Sequence, residues 1–344
     1  MVRNQRVAQR LNAALHTIFD REPRTWLLGE DVVDPYGGAF KITKGLSTRH
    51  PGRVLATPIS ENAIVGVANG LALCGDRAIV EIMFGDFITL AFDQILNVSA
   101  KSVGMFGRRR PMRLVVRCPV GGGRGYGPTH SQSLQKHFLG IPDLLLAELS
   151  PFHDPEHEIT ALLEDGRPAI FFEDKILYTE RGYRDGVVDD LFRYEFPTGP
   201  SGPARVFAEG VPDNDCLIIA PGGLTTRVLE AARELLLQDE VVCQILVPSR
   251  LWPLTGPSLL DAVAAADPTA VCVVEEGPPG GSWGDAVAGE LHRLLWNRLR
   301  GPVGLVASAP TVVPTASHLE EAARVRAASI TSAVRGTLVR DRHS

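Results

Sequence analysis

The sequence lacks the features that mark several common protein classes. Its five cysteines include no C-x-x-C pair, and an odd count excludes a complete set of disulfide bonds. No apolar run reaches the length of about 18 residues that a membrane-spanning helix needs. The N-terminus has no apolar core of the secretory-signal kind, and the net charge of −5 comes without a dense basic patch. A cytoplasmic protein that binds neither membrane nor nucleic acid is expected.

What the chain has is the composition of a soluble globular protein that is long enough for two domains. Of its 344 residues, 44% are hydrophobic and 22% are charged. Apolar runs alternate with amphipathic segments in both halves, which predicts strands and helices alternating around a parallel sheet. We therefore predict an α/β fold of two doubly wound domains, at residues 1–190 and 215–344, joined by a glycine- and proline-rich linker at residues 191–214.

The first segment that suggests chemistry is TPISENA, in which Glu61 stands in the first turn of an apolar helix. Ser60 is a favourable N-cap, and Gly75 follows the end of the helix. A carboxylate in this place commonly interacts with the helix dipole and has no further role. The alternative reading, that Glu61 is a functional acid, depends on the segments that follow.

A second segment, EIMFGDF, predicts a buried strand that ends near Met83, followed by a helix over residues 87–103. Parallel α/β layers bind ligands at the carboxyl ends of their strands, and an aromatic ring there can stack on a heterocycle. Met83 and Phe87 are therefore candidate ligand contacts. Taken singly, each is more simply interpreted as a residue of the hydrophobic core.

The third segment is the glycine-rich loop GGGRGYGPTHSQS, from Gly121 to Ser133. Its glycines allow the backbone to approach a ligand or to move as a lid. It is not a P-loop, since no G-K-[ST] follows, and it lacks the spacing of a dinucleotide fingerprint, which argues against a Rossmann-type oxidoreductase. His130 lies in a polar stretch of this loop, where a histidine is a candidate acid–base group.

Four stretches together resemble the β subunit of the E1 component of 2-oxoacid dehydrogenases. They are GEDV with YGGAFKITKGL (Gly29–Leu46), TPISE (Thr57–Glu61), EIMFGDF (Glu81–Phe87) and GGGRGYGPTHSQS (Gly121–Ser133), in that family's order and approximate spacing. The match is strong over residues 1–180 and weaker in the second half. The resemblance implies a transketolase-like pyrimidine-binding N-terminal domain, a transketolase-type C-terminal domain, and an enzyme that depends on thiamine diphosphate.

The resemblance also implies roles for individual residues. Glu61 corresponds to the glutamate that hydrogen-bonds N1′ of the aminopyrimidine ring of the cofactor. Phe87 corresponds to the aromatic residue that packs on that ring, and Met83 lies beside it. His130 corresponds to the loop histidine near the reacting centre, where it would assist proton transfer.

The chain is expected to supply only part of the enzyme. The resemblance places a monovalent cation, such as K⁺, in a loop around residues 162–167, with Asp165 as the best ligand candidate. Thiamine-diphosphate enzymes hold the diphosphate through Mg²⁺ with a G-D-G…N motif, whereas this chain has only Gly85-Asp86-Phe87. We therefore expect an α subunit to hold Mg²⁺ and the diphosphate, in an α2β2 heterotetramer that shares thiamine diphosphate between its chains.

The reaction expected of this heterotetramer is decarboxylation of a 2-oxoacid and transfer of the acyl group to a lipoyl-bearing E2 acyltransferase. Glu61 needs a desolvated setting to share a proton with N1′, and the apolar helix behind it provides one. Departures from the family pattern, such as Asn62 and the PSRLW segment from Pro248, leave two alternatives open. One is a subunit of a specialised thiamine-diphosphate acyl transferase with a non-lipoyl acceptor. The other is a non-catalytic assembly subunit.

Overall fold

A computed structural model of the chain describes residues 5–212, 214–254 and 259–339. The chain forms two compact units. The first unit comprises the chain up to Val120 together with Gly140–Leu149 and His153–Gly182, and the second comprises Gly121–Leu139, Ser150–Phe152 and the chain from Tyr183 onward. The glycine-rich loop therefore belongs to the second unit, although it directly follows a strand of the first.

The first unit contains a parallel sheet. Its strands are β1 Thr25–Gly29, β2 Val54–Ala56, β3 Arg77–Glu81, β4 Leu114–Val120, β5 Leu145–Glu148 and β6 Ala169–Asp174. They lie side by side in the order β5-β6-β4-β3-β1-β2, and all of these pairings are parallel. Every residue of β4, β5 and β6 is buried, as expected for strands that are covered on both faces.

The α-helices described in the first unit are α1 Val7–Arg21, α2 Leu46–Arg49, α3 Glu61–Leu73 and α4 Pro155–Asp165. Helix α1 buries one apolar stripe, as its sequence period predicts. Helix α4 begins where the Asp154 carboxylate accepts a hydrogen bond from the Glu156 amide at 3.0 Å, with Pro155 at the first helical position. The stretch around residues 162–167, expected to be a loop, is the last turn of α4 followed by Gly166 and Arg167.

One segment of this unit departs from its predicted secondary structure. The helix expected over residues 87–103 is a 3₁₀-helix at Gly85–Ala91 followed by a π-helix at Gln94–Ala100. Buried Asn69 of α3 offers part of the reason, because its side-chain amide donates to the Gln94 carbonyl at 3.3 Å. This contact satisfies a carbonyl that a regular α-helix would pair within itself. The periodicity of the segment alone does not reveal it.

The second unit contains a mixed sheet. The strands of the second unit are β7 Phe192–Glu195, β8 Ala204–Ala208, β9 Cys216–Ile219, β10 Cys243–Val247, β11 Arg250–Trp252, β12 Val271–Val274 and β13 Gly304–Val306. Apart from β11, they form one sheet in the order β13-β12-β9-β10-β8-β7. Strands β9, β10, β12 and β13 pair in parallel, whereas β8 is antiparallel to β10 and β7 to β8. Residues 191–214, expected to be a linker, therefore contain β7 and β8.

The helices described in the second unit are α5 Thr225–Asp239, α6 Leu259–Ala266, α7 Trp283–Leu294, α8 Ser317–Ala323 and α9 Ala327–Val339. Helix α5 packs on α9, and α6 packs on α7. Helix α7 begins with a capping box formed by Ser282 and Asp285. The predicted architecture of two doubly wound α/β domains is confirmed, with two antiparallel strands added at the edge of the second sheet.

The structure also describes the cysteine thiols and the length and apolarity of the helices. The described cysteines are free, and all are buried except Cys74. Burial raises the pKa of Cys243 and of Cys272 to about 12, so these thiols stay protonated and pack as small apolar groups. Among the helices described, none combines the length and apolarity that crossing a membrane requires.

Candidate active site

The strand order of the first sheet reverses beside β1. From β1 the chain continues to β2 on one side and then to β3 on the other, so the loops after β1 and β3 diverge. Open α/β sheets bind ligands in the crevice outside such strand ends. Gly29 at the end of β1 is the register partner of both Ala56 in β2 and Glu81 in β3. The GEDV, TPISE and EIMFGDF segments therefore leave the sheet at this one edge.

Two glycines allow the chain to close tightly around this crevice. A Cβ atom on Gly29 would lie 2.7 Å from the Glu81 carbonyl oxygen and 2.9 Å from Val32. A Cβ atom on Gly38 would lie 2.6 Å from Glu81 Oε1, and the φ angle of Gly38, 79°, is in the left-handed region. Both positions need glycine, which is a physical reason for the GEDV and YGG sequences.

Two acids share the crevice. Glu61 is buried at the start of α3, with 4% of its surface exposed. Glu30, which follows β1 directly, is also buried, and its Oε1 has no hydrogen-bond partner among the described residues. Burial raises the pKa of Glu30, and the negative charges of Glu61 and Asp31 raise it further. The two carboxyl groups are therefore close enough for the charge of Glu61 to alter the ionisation of Glu30.

Glu30 is a further candidate site residue, which lies in one of the sequence motifs although the motif did not indicate a role for it. It stands in the GEDV stretch, immediately after the buried end of β1. An acid in that position is a usable signal, because it combines burial with a place at the edge where ligands bind. The signal becomes specific only when the strand order shows that β1 flanks the switch point.

A buried ion-pair network joins β3, β4 and β6 next to the crevice. Arg117 donates from Nη1 to Glu81 Oε2 at 2.7 Å, and from Nε and Nη2 to the two oxygens of Glu173 at 2.7 and 2.8 Å. The Tyr178 hydroxyl donates to Glu173 at 2.5 Å. Burial raises the pKa of Glu81, while Arg117 opposes this shift and Glu173 adds to it. The network fixes the end of β3, from which the EIMFGDF turn follows.

Met83 and Phe87 lie on the turn and the 3₁₀-helix that follow β3, and both are half-buried. The Phe87 amide donates to the Phe84 carbonyl at 3.0 Å. The Phe84 ring packs edge-on against Phe40, with ring centroids 5.8 Å apart. A half-buried apolar side chain held in this way can contact a ligand ring with its exposed face. The roles of Met83 and Phe87 as ligand contacts stay predictions.

His130 belongs to the second unit. Its Nδ1 atom lies 3.0 Å from the Thr129 hydroxyl oxygen, and its amide donates to the Gly127 carbonyl at 3.3 Å. The side chain is half-buried. The structure therefore places Glu61, Met83 and Phe87 in the first unit and His130 in the second.

Glu320 of α8 holds the glycine-rich loop that carries His130. Its buried carboxylate accepts hydrogen bonds from the amides of Gly123 at 2.6 Å and Gly125 at 3.0 Å. Gly127 is confined as well, since a Cβ atom there would lie 2.7 Å from Thr315 Oγ1. Because Glu320 and Gly123 are 197 residues apart in sequence, no local pattern indicated this contact.

Asp165, the candidate cation ligand, binds a side chain of its own segment. Its two oxygens accept hydrogen bonds from Nε and Nη2 of Arg167 at 2.6 and 2.9 Å. The hydrogen bond to Asp165 raises the pKa of Arg167 above its ordinary value. Over the described part of the chain, no three or more His, Cys, Asp or Glu side chains are grouped so as to hold a metal ion.

Comparison with known proteins decides the family. Residues 4–181 match the transketolase pyrimidine-binding domain, and residues 208–330 match the transketolase C-terminal domain. The β subunit of acetoin:2,6-dichlorophenolindophenol oxidoreductase from Cupriavidus necator is 32% identical over 356 residues, with 100% of both chains covered. The mitochondrial pyruvate dehydrogenase E1 component subunit beta of Dictyostelium discoideum is 28% identical, covering 98% of this chain and 92% of that one. The chain belongs to the E1 β-subunit family.

Solved structures agree with the fold of this E1 β subunit. A split-gene transketolase, described as an inactive β4 tetramer, superposes with a TM-score of 0.72 at 18% identity, covering 98% of this chain and 99% of that chain. At this level of identity the likeness shows the fold alone. The resemblance stated from the four sequence stretches is confirmed by both domain matches.

Members of this family depend on thiamine diphosphate. The crevice of the first unit fits the pyrimidine part of that cofactor on three structural grounds. Glu61 is a buried acid at the start of a helix, Glu30 presents a buried oxygen without a described partner, and Phe87 is a half-buried aromatic at the same edge. A desolvated polar group that lacks a partner is stabilised when a ligand donates to it.

Proposed function

We propose that this E1 β subunit, together with an α subunit, decarboxylates a 2-oxoacid with thiamine diphosphate. The observation that carries the proposal is the pair of buried acids, Glu61 and Glu30, at the switch point of the first sheet. Burial and the negative charge of Glu61 raise the pKa of Glu30, which favours its protonated form, and a protonated acid beside a second carboxyl group suits general acid–base chemistry. A purely structural acid in the first turn of a helix would need neither the burial nor the second carboxyl group.

In the proposed reaction, side chains of this chain hold and transfer protons. When bound, thiamine diphosphate would supply a nucleophilic ring carbon and an electron sink for the decarboxylation of a 2-oxoacid. Glu61 shares a proton with N1′ of the pyrimidine ring, and the buried side chains of Ile64 and Val65 on α3 help to keep water from it. Glu30 supports this role as a second buried acid, whose pKa is raised by burial and by the charge of Glu61.

The remaining site residues orient the cofactor and handle later protons. Phe87 packs on the pyrimidine ring with Met83 beside it, which is supported by their half-buried positions after β3. His130 assists proton transfer during acyl transfer. Glu320 supports this role by holding the loop of His130 through the amides of Gly123 and Gly125.

An α subunit completes the enzyme and supplies the ligands of Mg²⁺ and the diphosphate, in an α2β2 heterotetramer. Large apolar side chains exposed on the segments around the crevice support such a partner: Ile59 precedes α3, Val67 lies on α3, and Leu90 lies on the 3₁₀-helix after β3. Exposed apolar groups of this size commonly mark surfaces that a partner covers.

The acyl acceptor in this proposal is the lipoyl group of an E2 acyltransferase, in line with relatives named as E1 components of pyruvate dehydrogenase. K⁺ is proposed as the monovalent cation at Asp165. Binding there requires displacement of Arg167, because the guanidinium already occupies both carboxylate oxygens. Activity measured over a range of K⁺ concentrations tests this part of the proposal.

Calorimetric titration with thiamine diphosphate and Mg²⁺ tests the shared site. The chain is titrated alone and then in complex with its co-encoded α chain. Saturable binding is expected only in the complex, because this chain supplies the pyrimidine side of the site. Tight binding by the chain alone would overturn the division of the site, and absence of binding in both cases would overturn the catalytic proposal.

Glu61→Gln tests the role of the acid. The amide keeps the shape of the side chain but cannot share a proton, so turnover of the complex should fall by about 10²–10⁴-fold while assembly with the α chain is retained. Steady-state decarboxylation and size-exclusion chromatography measure the two properties. Glu321→Gln, at an exposed position on α8, is the matched control. Near wild-type turnover of Glu61→Gln would contradict the assignment.

A further inference from the structure

The second unit contains a cavity of about 630 Å³. Its walls come from the glycine-rich loop and the residues after it up to His137, from residues 276–278, from residues 308–313, and from Ala323 and Arg324. All of these residues belong to the second unit. The volume lies within the range of about 300–1,000 Å³ that is typical of small-molecule sites.

The cavity lies where the second sheet reverses its strand order. From β9 the chain continues to β10 on one side and later to β12 on the other. Residues 276–278 follow the end of β12, and residues 308–313 follow the end of β13. Open α/β sheets bind ligands outside the strand ends beside such a switch point. Position in the fold and volume therefore both indicate a ligand site.

Arg324 lines this cavity, and one edge of its guanidinium lacks hydrogen-bond acceptors among the described residues. Its side chain is 10% exposed, and its Nε and Nη2 atoms have no hydrogen-bond partner among the described residues. Glu276 Oε2 lies 3.8 Å from Nη2, too far for a hydrogen bond, and this oxygen already accepts from Arg227. A buried guanidinium edge without an acceptor is costly, so a ligand that provides one is stabilised there.

The two unsatisfied atoms define the shape of the missing acceptor. Nε and Nη2 form one edge of the guanidinium, with two parallel N–H donors. Two other arginines of this chain bind a carboxylate through the same edge. Arg117 donates from Nε and Nη2 to Glu173, and Arg167 donates from the same atoms to Asp165. The unsatisfied edge of Arg324 therefore matches the two oxygens of a carboxylate.

The other groups at the cavity favour a single negative charge. Lys136 donates to the carbonyls of residues 278 and 280, both at 3.3 Å. Burial lowers the pKa of His137, so this side chain is mainly uncharged at neutral pH. Glu276 repels a second negative charge near Arg324. The apolar lining residues include Leu134, Pro310, Val312 and Val313.

We propose that the second unit binds a small monocarboxylate with an apolar body, held by the Nε–Nη2 edge of Arg324. The apolar body lies against the apolar wall of the cavity, away from Arg324. The loop that carries His130 forms another wall, since Gly122, Pro128 and Ser131 line the cavity. The site uses none of the residues proposed for the cofactor, so it is tested separately from the proposed function.

Titration of the full chain, alone and in complex with the α subunit, tests the site with three probes. Hexanoate is expected to bind saturably at one site per chain. Hexanamide has the same shape without the charge, and its affinity should be lower than that of hexanoate by a factor of about ten or more. Inorganic phosphate should not displace hexanoate at equal concentration. Equal binding of the amide, displacement by phosphate, or no binding of hexanoate to either form of the protein would overturn the proposal.

Variants of Arg324 test the anchor. Arg324→Lys keeps the positive charge and loses the planar edge, and Arg324→Gln loses both, so each should weaken hexanoate binding about tenfold or more. Arg326→Gln removes an exposed arginine two residues along the chain and should bind as the wild type does. Circular dichroism verifies folding. Unchanged affinity in folded Arg324→Gln would overturn the assignment, and the comparison of acid with amide on the wild type decides it independently of any variant.

Discussion

Arg117 shows how a single residue sets the electrostatics of the first unit. Its guanidinium is fully buried between Glu81 and Glu173, and the Tyr178 hydroxyl donates to the second of these carboxylates. Burial raises the pKa of Glu81 and the charge of Glu173 raises it further, whereas Arg117, one positive charge between two carboxyl groups, lowers it. Buried ion pairs contribute little net stability, but removing one partner leaves an uncompensated charge. The main contribution of Arg117 is therefore to hold the ends of β3 and β6 in one geometry.

Arg117→Met is expected to lower the free energy of unfolding by about 3–5 kcal/mol, because Glu81 and Glu173 lose their counter-ion. Denaturant unfolding monitored by circular dichroism measures the change. Adding Glu173→Gln to Arg117→Met should restore part of the loss, since one of the two unpaired charges is then removed. A double variant that is less stable than the single one would contradict this explanation.

Arg109→Met provides the matched control for Arg117→Met. Arg109 also pairs with an acid, Asp143, at 3.2 Å, but its side chain is exposed. Exposed ion pairs contribute about 0–1 kcal/mol, so this variant should unfold almost as the wild type does. A loss as large as that of Arg117→Met would show that burial is not the cause.

Among the elements, the glycine-rich loop has a shape that depends on one distant helix. The Glu320 carboxylate of α8 accepts hydrogen bonds from the amides of Gly123 and Gly125. Without these hydrogen bonds, the backbone at the two glycines could adopt many conformations. The loop is thus ordered by a contact that local sequence does not contain.

Glu320→Ala is expected to increase amide exchange at Gly123 and Gly125 by about tenfold or more, because hydrogen bonds to a charged acceptor contribute about 1.5–3 kcal/mol each. Hydrogen–deuterium exchange of the loop peptide measures this change. Glu321→Ala, at the exposed neighbouring position, should leave the loop unchanged. Equal exchange in both variants would mean that Glu320 does not hold the loop.

Asp34 organises another element, the short helix α2. Its carboxylate accepts from the amides of Gly45 at 2.7 Å and Thr48 at 2.9 Å, and from the hydroxyls of Ser47 and Thr48. The Thr48 hydroxyl and the Gly45 amide hold the pKa of Asp34 well below its ordinary value. A lowered pKa means that this stabilisation is present above the ordinary carboxyl pKa and is lost as the pH falls through and below it.

Asp34→Ala is therefore expected to cost about 1 kcal/mol of unfolding free energy at neutral pH. The difference from the wild type should shrink as the pH falls below about 4, the ordinary pKa of an aspartate. Thermal unfolding at a series of pH values measures it. Asp190→Ala, whose side chain is 86% exposed, should show no such trend. A difference for Asp34→Ala that grows toward acid pH would reverse the predicted sign.

At the scale of the whole molecule, the first unit carries apolar side chains that its own fold does not cover. Val67 is 54% exposed on the helix that begins with Glu61, and Leu90 is 58% exposed on the 3₁₀-helix that carries Phe87. The proposed cofactor site is also incomplete within this chain, which lacks the diphosphate motif. Both features fit a subunit that functions in an assembly.

Val67→Asp should weaken association with the α chain by about tenfold or more, because an unpaired carboxylate would be buried in the interface. Analytical ultracentrifugation of the mixed chains measures association. Leu237→Asp places the same charge at a 68% exposed position on α5 and should assemble normally. Normal assembly of Val67→Asp would remove this face of α3 from the proposed interface.

The fold and the chemical setting of Glu61 were largely predictable from the sequence. Apolar runs alternating with amphipathic segments report strands and helices, because each element must bury one face or both. Ser60 and Gly75 delimited α3, and Glu61 at its start follows from that local pattern. The antiparallel strands β7 and β8 were missed, since their short alternating pattern stands among many glycines and prolines.

What only the tertiary structure decided is which groups meet. The coupling of Glu30 to Glu61, the place of Arg117 between two acids, and the Glu320 contact to the glycine-rich loop all join segments far apart in sequence. So does the unsatisfied edge of Arg324 beside a cavity. Which side chains become partners depends on how distant segments pack. A local pattern specifies only which face of each segment is buried. The sequence by itself therefore determined the family and most of the elements, and the packing of those elements determined the electrostatics of the sites.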